Sequence, residues 1–170
     1  MIKIIGAKGF IKDIDDFLKK VESLAIKNNL AIQVFNADLI YGKDHIISAV
    51  EHARRAIERK TNTTNSFEKE ILLYASGERQ LKLGIPKMGV KEGSGNIAFV
   101  FVNDKKSEIP EQITNNLLKL LNLNLDDRVL EGNIDTLRKF GINEDEILTV
   151  TEDKYGYLIL ERVAMVDIIK

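Results

Sequence analysis

Apolar residues recur at helical spacing along much of the chain, most clearly between Lys43 and Lys60, where an apolar stripe faces a charged side. This pattern is typical of an amphipathic helix that packs on a core by one face. The same spacing predicts helices at about residues 12–26, 66–76, 108–121, 135–140 and 144–148, a short helical segment after Asn36, and one or two helical turns at 78–83 ended by Gly84 and Pro86. Asn65 is expected to cap the helix at 66–76 and Gly77 to end it.

Three short apolar runs are rich in β-branched and aromatic residues and predict buried strands. They lie at residues 2–5, where Gly6 and Gly9 are expected to end the strand, and at 31–35 and 96–102. Strands and helices do not alternate regularly, so a doubly wound parallel sheet is not expected. The predicted fold is α/β (α+β): residues 1–170 as a single domain, with a small mixed or antiparallel sheet of three to four strands packed with six to eight helices.

The last predicted helix, residues 157–169, is apolar on most of its circumference. A surface helix normally shows a single apolar stripe. This helix is therefore either central to the core or covered by a partner protein.

The stretch from Ala75 to Gly95 holds five of the eleven glycines and one of the two prolines. It is interpreted as a Gly-rich loop before the strand at 96–102, whose exposed N–H groups suit an anion. Its basic residues support that interpretation: Arg79, Lys82, Lys87 and Lys91. The alternative is a solvated connection that only turns the chain.

The amino-acid composition restricts the class of protein but does not indicate a specific function. With 44% apolar and 30% charged residues, the chain is typical of a globular protein, and it has no cysteine. The net charge is −1, but residues 43–91 carry ten basic against six acidic side chains, whereas residues 103–170 carry nine against fourteen. No apolar run approaches the roughly 18 residues of a membrane span, and no signal peptide is visible, so a cytoplasmic protein is expected.

The sequence offers no catalytic constellation, and neither a metal nor a cofactor is expected. The two histidines, His45 and His52, are seven residues apart, too far along a helix to hold one metal ion. The glycines at 89–95 precede a strand, whereas a nucleotide-binding glycine motif follows one. Ser76 lacks the Gly-x-Ser-x-Gly context of a hydrolase nucleophile.

Basic residues at the end of the long helix, Arg54, Arg55, Arg59 and Lys60, either complement the helix dipole or bind phosphate. If the helices at 43–60 and 66–76 are antiparallel, Arg79, Lys82 and Lys87 join Lys43 and His45 at one end of the layer. Tyr41 and Met88 would then supply apolar surface for a base.

Two segments carry a resemblance to a known family: residues 36–56, Asn-Ala-Asp-Leu-Ile-Tyr-Gly-Lys-Asp-His and onward, and residues 66–81, which end Ala-Ser-Gly-Glu-Arg-Gln-Leu. With Leu160-Glu-Arg-Val-Ala-Met165 near the end, they resemble the small accessory subunit of the KEOPS complex, the PRPK-binding protein in animals. The resemblance covers nearly the whole chain. It implies a non-catalytic subunit of the machinery that makes threonylcarbamoyladenosine in tRNA. Such a subunit binds the complex's atypical kinase/ATPase subunit and the single-stranded CCA end of tRNA.

By this resemblance, the tRNA end is assigned to Ser76, Gly77, Arg79 and Gln80, with Lys43, His45, Arg59, Lys60, Lys87 and Gly89 as companions. The kinase-facing residues are assigned to the last helix and its neighbour: Leu160, Val163, Ile71 and Leu72. Burial of those four side chains in the monomer is the alternative. Two other functions stay open, a purely protein-binding regulator without tRNA contact and a small-molecule phosphate enzyme.

Overall fold

The computed structural model describes residues 1–170 and is built on one antiparallel sheet in the order β2-β3-β1-β4. The strands are β1 (Ile2–Ile11), β2 (Ala31–Asn36), β3 (Gly93–Val102) and β4 (Asn124–Leu125). β3 is the most buried strand because it is paired on both sides and covered on both faces. Its side chains alternate between two cores, as the period of a strand requires.

Eight α-helices cover the sheet, so the predicted α+β class and the predicted numbers of strands and helices are confirmed. They are α1 (Ile14–Asn28), α2 (Gly42–Glu58), α3 (Phe67–Ser76), α4 (Leu81–Met88), α5 (Glu111–Leu120), α6 (Ile134–Phe140), α7 (Glu144–Leu148) and α8 (Tyr155–Ile169), with short 3-10 turns at Ala37–Leu39, Asp127–Leu130 and Glu152–Lys154. One core joins the sheet to α2, α3, α4, α6, α7 and α8, and the other joins it to α1 and α5. None of the helices has the length and apolar character needed to cross a bilayer.

The prediction that Gly6 and Gly9 end the first strand is wrong, because β1 runs through both. Their missing side chains instead allow a second segment to approach the strand. A Cβ at Gly6 would lie 2.6 Å from the Asp126 carbonyl oxygen, and one at Gly9 would lie 2.4 Å from Leu123 Cδ2. Close packing, not a turn, therefore explains these two glycines.

The predicted Gly-rich loop is also wrong in its extent, because α4 passes through Gly84 and Pro86 and β3 already begins at Gly93. Gly84 is buried against α3, where a Cβ would lie 2.9 Å from Ser76 Oγ. Pro86 is exposed near the end of the short helix, where the carbonyl left without an N–H partner can bond to water. Only residues 77–80 and 89–92 remain as connections.

Helices α2 and α3 are antiparallel, since His45 near the start of α2 contacts Ala75 near the end of α3. Gly77 ends α3 in the left-handed region with a φ of 68°, as predicted. The N-cap of α3 is Ser66 rather than Asn65, because the Ser66 hydroxyl accepts the Lys69 N–H at 3.3 Å. The α2–α3 pair positions the two candidate binding surfaces, a polar groove beside the start of α3 and an exposed face of α8.

Candidate nucleic-acid interface and partner-binding face

His45 is a buried structural histidine at the first turn of α2. Its Nδ1 accepts the Tyr41 N–H at 3.1 Å, so Nε2 carries the proton and donates to the Ala75 carbonyl at 2.8 Å. The pKa of His45 is lowered from its ordinary value to about 4, chiefly by burial and to a smaller extent by the nearby Lys87 ammonium, while the hydrogen bond to the Ala75 carbonyl opposes the shift. A neutral imidazole with both nitrogens engaged has no atom left for a phosphate.

Ser76 and Gly77 shape the turn that follows α3. Ser76 is buried, and its hydroxyl donates to the Leu73 carbonyl at 2.7 Å and accepts the Glu78 N–H at 3.1 Å. Gly77 leaves room for the neighbouring side chains, since a Cβ there would lie 3.3 Å from both Arg162 Cβ and Phe140 Cζ. These two residues therefore hold residues 78–80 in place, Ser76 from a buried position and Gly77 from a partly buried one.

Lys87 is internally paired. Its ammonium lies 3.3 Å from Glu78 Oε1 and 3.9 Å from the centroid of the Phe140 ring. Burial lowers its pKa, although the Glu78 carboxylate opposes that shift. The neighbouring Gly89 closes α4 by donating its N–H to Ile85 at 2.8 Å, and Met88 is fully buried. Met88 therefore does not supply the surface for a base that was expected of it.

A polar groove lies at the opposite end of the helix pair, between the start of α3 and the start of α4. It has a volume of about 550 Å³ and is lined by Thr63, Thr64, Asn65, Ser66, Lys69, Gln80 and Leu81. Arg59 and Lys60 lie four and three residues before Thr63, the first lining residue, and Arg79 and Lys82 flank Gln80 and Leu81. We call this site the basic groove.

The charges around the basic groove are unbalanced in space. Its five basic side chains are exposed and form no ion pair: Arg59, Lys60, Lys69, Arg79 and Lys82. The three acidic residues of the same span are all engaged within the chain. Glu70 is buried, accepts the Thr63 and Thr64 N–H groups and pairs with Lys170 at 3.1 Å. Glu78 pairs with Lys87, and Glu68 accepts from the Ser66 hydroxyl.

Of the predicted tRNA residues, Gln80 lines the groove, and Arg59, Lys60 and Arg79 are close to its lining residues in the chain, whereas His45, Lys87 and Gly89 are not part of it. Lys43 is exposed near the start of α2, at the other end of the helix pair. Sequence reasoning missed Lys69 as a member of the groove. The sequence does indicate that Lys69 is exposed near the start of α3, because it follows the capping Ser66 by three residues and is off the apolar stripe of the helix.

Helix α8 is apolar around most of its circumference, but only one of its faces is buried in the core and the other is exposed to solvent. The buried face carries Leu158, Ile159, Val163 and Val166. The outer face carries Tyr157, 64% exposed, and Ile168, 79% exposed, with Leu160 and Ala164 between them. The spacing of these four residues places them in one line along the helix. We call this line the α8 stripe.

A pocket of about 460 Å³ adjoins the α8 stripe where α2 and α8 begin. Its walls include Tyr41, Tyr157 and Leu160 together with Asp44 and Asp153. Of the four predicted kinase-facing residues, Leu160 lines this pocket, whereas Val163, Ile71 and Leu72 are core residues. For those three, burial in the monomer, the alternative reading, is what the structure shows.

Three further titratable residues, His52, Tyr74 and Asp167, contact one another and have a structural role. His52 Nδ1 lies 2.9 Å from Asp167 Oδ2, and the Tyr74 hydroxyl donates to the same carboxylate, so these contacts fasten α8 to α2 and α3. Burial and that hydrogen bond raise the pKa of Tyr74. No group of three or more histidine, aspartate or glutamate side chains is placed to hold a metal ion.

Fold and surfaces together define a small α+β protein with one basic groove and one exposed apolar helix face. The sequence model of the family described as "Kinase binding protein CGI-121" matches residues 11–167, so the chain belongs to that family. The chain is also 28% identical over 148 residues to "Regulatory protein Cgi121" of the archaeon Methanocaldococcus jannaschii, which covers 83% of this chain and 86% of that protein. The family resemblance inferred from the sequence is confirmed.

Proposed function

We propose that this protein is a non-catalytic KEOPS subunit that binds the complex's atypical kinase/ATPase subunit and recruits tRNA by its single-stranded CCA end. The complex then carries out threonylcarbamoyladenosine modification of the tRNA on another polypeptide. The observation that carries the tRNA part is the basic groove, where Lys69 lines a polar cleft, four further unpaired cations lie within four residues of its lining in the chain, and the three carboxylates of residues 59–82 are engaged within the protein. The kinase part is supported by the family and by the α8 stripe.

A single-stranded end suits the groove better than a duplex does. Unpaired nucleotides present phosphates and base edges separately, and short clefts with a few cations hold them at modest affinity. Arg59 and Arg79 have the fork geometry that phosphate recognition favours. Gln80, the Asn65 amide and the Thr63 hydroxyl supply donors and acceptors for base edges, and Leu81 supplies apolar contact.

The tRNA part is tested by reversing two groove charges, in the double variant Lys60→Glu/Arg79→Glu. We expect tRNA binding to weaken at least about tenfold and the salt dependence to become shallower by about two phosphate contacts. The matched control is Lys19→Glu/Lys119→Glu, which changes the net charge equally on α1 and α5, across the sheet from the groove. Gel shifts at two salt concentrations measure both effects. If both double variants weakened tRNA binding equally, the groove would have no specific role and tRNA would be held only by non-specific charge attraction to the protein.

Kinase docking is tested at the α8 stripe. A charged residue in a docked apolar patch is desolvated without a partner, so Tyr157→Asp and Ile168→Asp should each weaken binding of the kinase subunit by about thirtyfold. Leu148→Asp is the matched control, because Leu148 is 81% exposed but lies on α7. Titration calorimetry with the purified kinase subunit measures the loss. Kinase binding that survives both stripe variants would place the docking surface elsewhere.

Kinase binding without tRNA contact, even in the assembled complex, would instead select the purely protein-binding regulator. The α8 stripe alone would then account for the function of this chain.

A further inference from the structure

The outer edge of β1 is unpaired over its first half. β1 pairs with β3 along its whole length, but β4 pairs with β1 only at Ala7 and Lys8 on the other side. Beyond that, the Asp126 N–H donates to the Gly6 carbonyl at 2.9 Å, and the Asp127 carboxylate accepts the Gly6 N–H at 2.8 Å. The chain thus covers the edge as far as Gly6 and no farther.

Successive residues of an antiparallel strand direct their backbone N–H and C=O groups to opposite sides, and this determines which of these groups have no partner. Because the N–H and C=O groups of Gly6 point away from β3, those of Ile4 and Ile2 point the same way. The register between β1 and β3 is continuous, without a bulge that would shift this alternation. Ile2 and Ile4 therefore present two N–H and two C=O groups along an open edge, and no side chain of the chain bonds to them.

This edge is the floor of a groove of about 380 Å³ rather than a protruding rim. Lys43 and Ile47 of α2 form one wall, and Glu111, Thr114 and Asn115 of α5 form the other. Two exposed apolar side chains face into it, Ile47 at 38% and Leu125 at 57% exposure. An open strand edge with exposed apolar side chains beside it is a site to which an extended chain adds as a strand.

We propose that this groove binds a short extended segment of a partner protein, which adds to the sheet as a strand beside Ile2–Ile5. The recessed position decides against a second copy of this chain, because two edges that each lie between two helices do not reach strand spacing, about 4.8 Å. The open length is four residues, or about 13 Å of strand. Side chains of the added strand alternate between an apolar contact with Ile47 and a polar contact with the exposed Asn115.

The inference is independent of tRNA and kinase binding, and it is tested with random nonapeptides displayed on phage and selected on the full-length protein. Selected peptides should show apolar residues at every second position. The synthetic form of the strongest one should shift the NMR signals of the Ile2 and Ile4 amides and slow their hydrogen exchange.

Two substitutions at one position separate backbone pairing from side-chain contact. Ile2→Pro removes an outward N–H but none of the bonds to β3, and proline is tolerated at the start of an edge strand. It should weaken peptide binding about fivefold to tenfold. Ile2→Ala keeps that N–H, so its binding should stay within about twofold of the wild type. Both variants are compared at matched folded fractions, read from their thermal unfolding.

Wall contacts give a second, independent check. Ile47→Asp should abolish peptide binding, whereas Ile26→Asp, on the exposed side of α1, should leave it unchanged. The proposal is overturned if no peptide is enriched, if the enriched peptides shift amides outside this groove, or if Ile2→Pro binds them as the wild type does. A concentration-dependent dimer that Ile2→Pro dissociates, seen by sedimentation velocity, would also overturn it in favour of a second copy.

Discussion

The two ends of the α2–α3 helix pair carry similar residue types but differ in what those residues are free to contact. At one end, His45 and Ser76 are buried, and Lys87 is paired with Glu78 over the Phe140 ring. At the other end, Arg59 and Lys60 extend into solvent without an ion pair. A basic residue is available to a ligand only where the fold leaves it unpaired, and the number of basic residues in a segment does not show this.

The unequal lengths of α2 and α3 explain why basic residues are unpaired at one end of the helix pair and engaged at the other. α2 has 17 residues and α3 has 10, so α2 is longer by about 10 Å at a rise of 1.5 Å per residue. The paired end is fixed by packing against α6 and α8, which brings Phe140 and Arg162 close to Gly77. At the other end the chain returns from α2 to α3 through residues 59–66, which have no regular structure and leave their basic side chains outside the core.

The largest effect is expected at the paired end, in the pH dependence of stability. The folded protein holds His45 neutral with a pKa of about 4, below the unfolded value of about 6.5. The unfolded state therefore binds the extra proton first as pH falls. From about pH 7 to about pH 5 this should remove about 2 kcal/mol from the free energy of unfolding.

Urea unfolding at the two pH values measures this loss, and His45→Asn is the control. The variant should be less stable at neutral pH because its contacts with Ala75 and Tyr41 change, but it should lose less stability on acidification. An equal loss in both proteins would mean that His45 is not the group that titrates.

A smaller effect is expected from releasing a paired cation. Glu78→Gln removes the carboxylate that holds Lys87 and raises the net charge beside Arg79 by one. tRNA binding should strengthen by about twofold, the size of one partly exposed charge. Adding Lys87→Gln restores the net charge and should cancel the gain. A change as large as that of the groove double variant would show that tRNA lies at the paired end.

Much of the fold follows from local patterns. Helical periodicity located α1, α2, α3, α5 and α6, and Gly77 ended α3 as expected, with a positive φ. The failures lie where a distant contact overrides a local preference. Gly84 and Pro86 are usually helix breakers, but α4 forms because its glycine gives close packing on Ser76.

The sites were less predictable because availability depends on tertiary contacts. α8 is apolar on both faces, so periodicity alone did not separate the buried Val163 from the exposed Ile168. Lys87 and Arg79 also look alike in the sequence, and only the position of Glu78 in space distinguishes them. The basic groove required the return of the chain at residues 77–80, which places Gln80 beside Thr63–Ser66.

The central claim is that the basic groove holds the single-stranded end of tRNA, and one comparison tests it most directly. Binding of intact tRNA and of the same tRNA without its terminal CCA is measured by gel shift with the wild type and the Lys60→Glu/Arg79→Glu variant. The wild type should bind the truncated tRNA at least about tenfold more weakly, whereas the variant should bind both tRNAs almost equally. Equal binding of the two tRNAs by the wild type would contradict the claim.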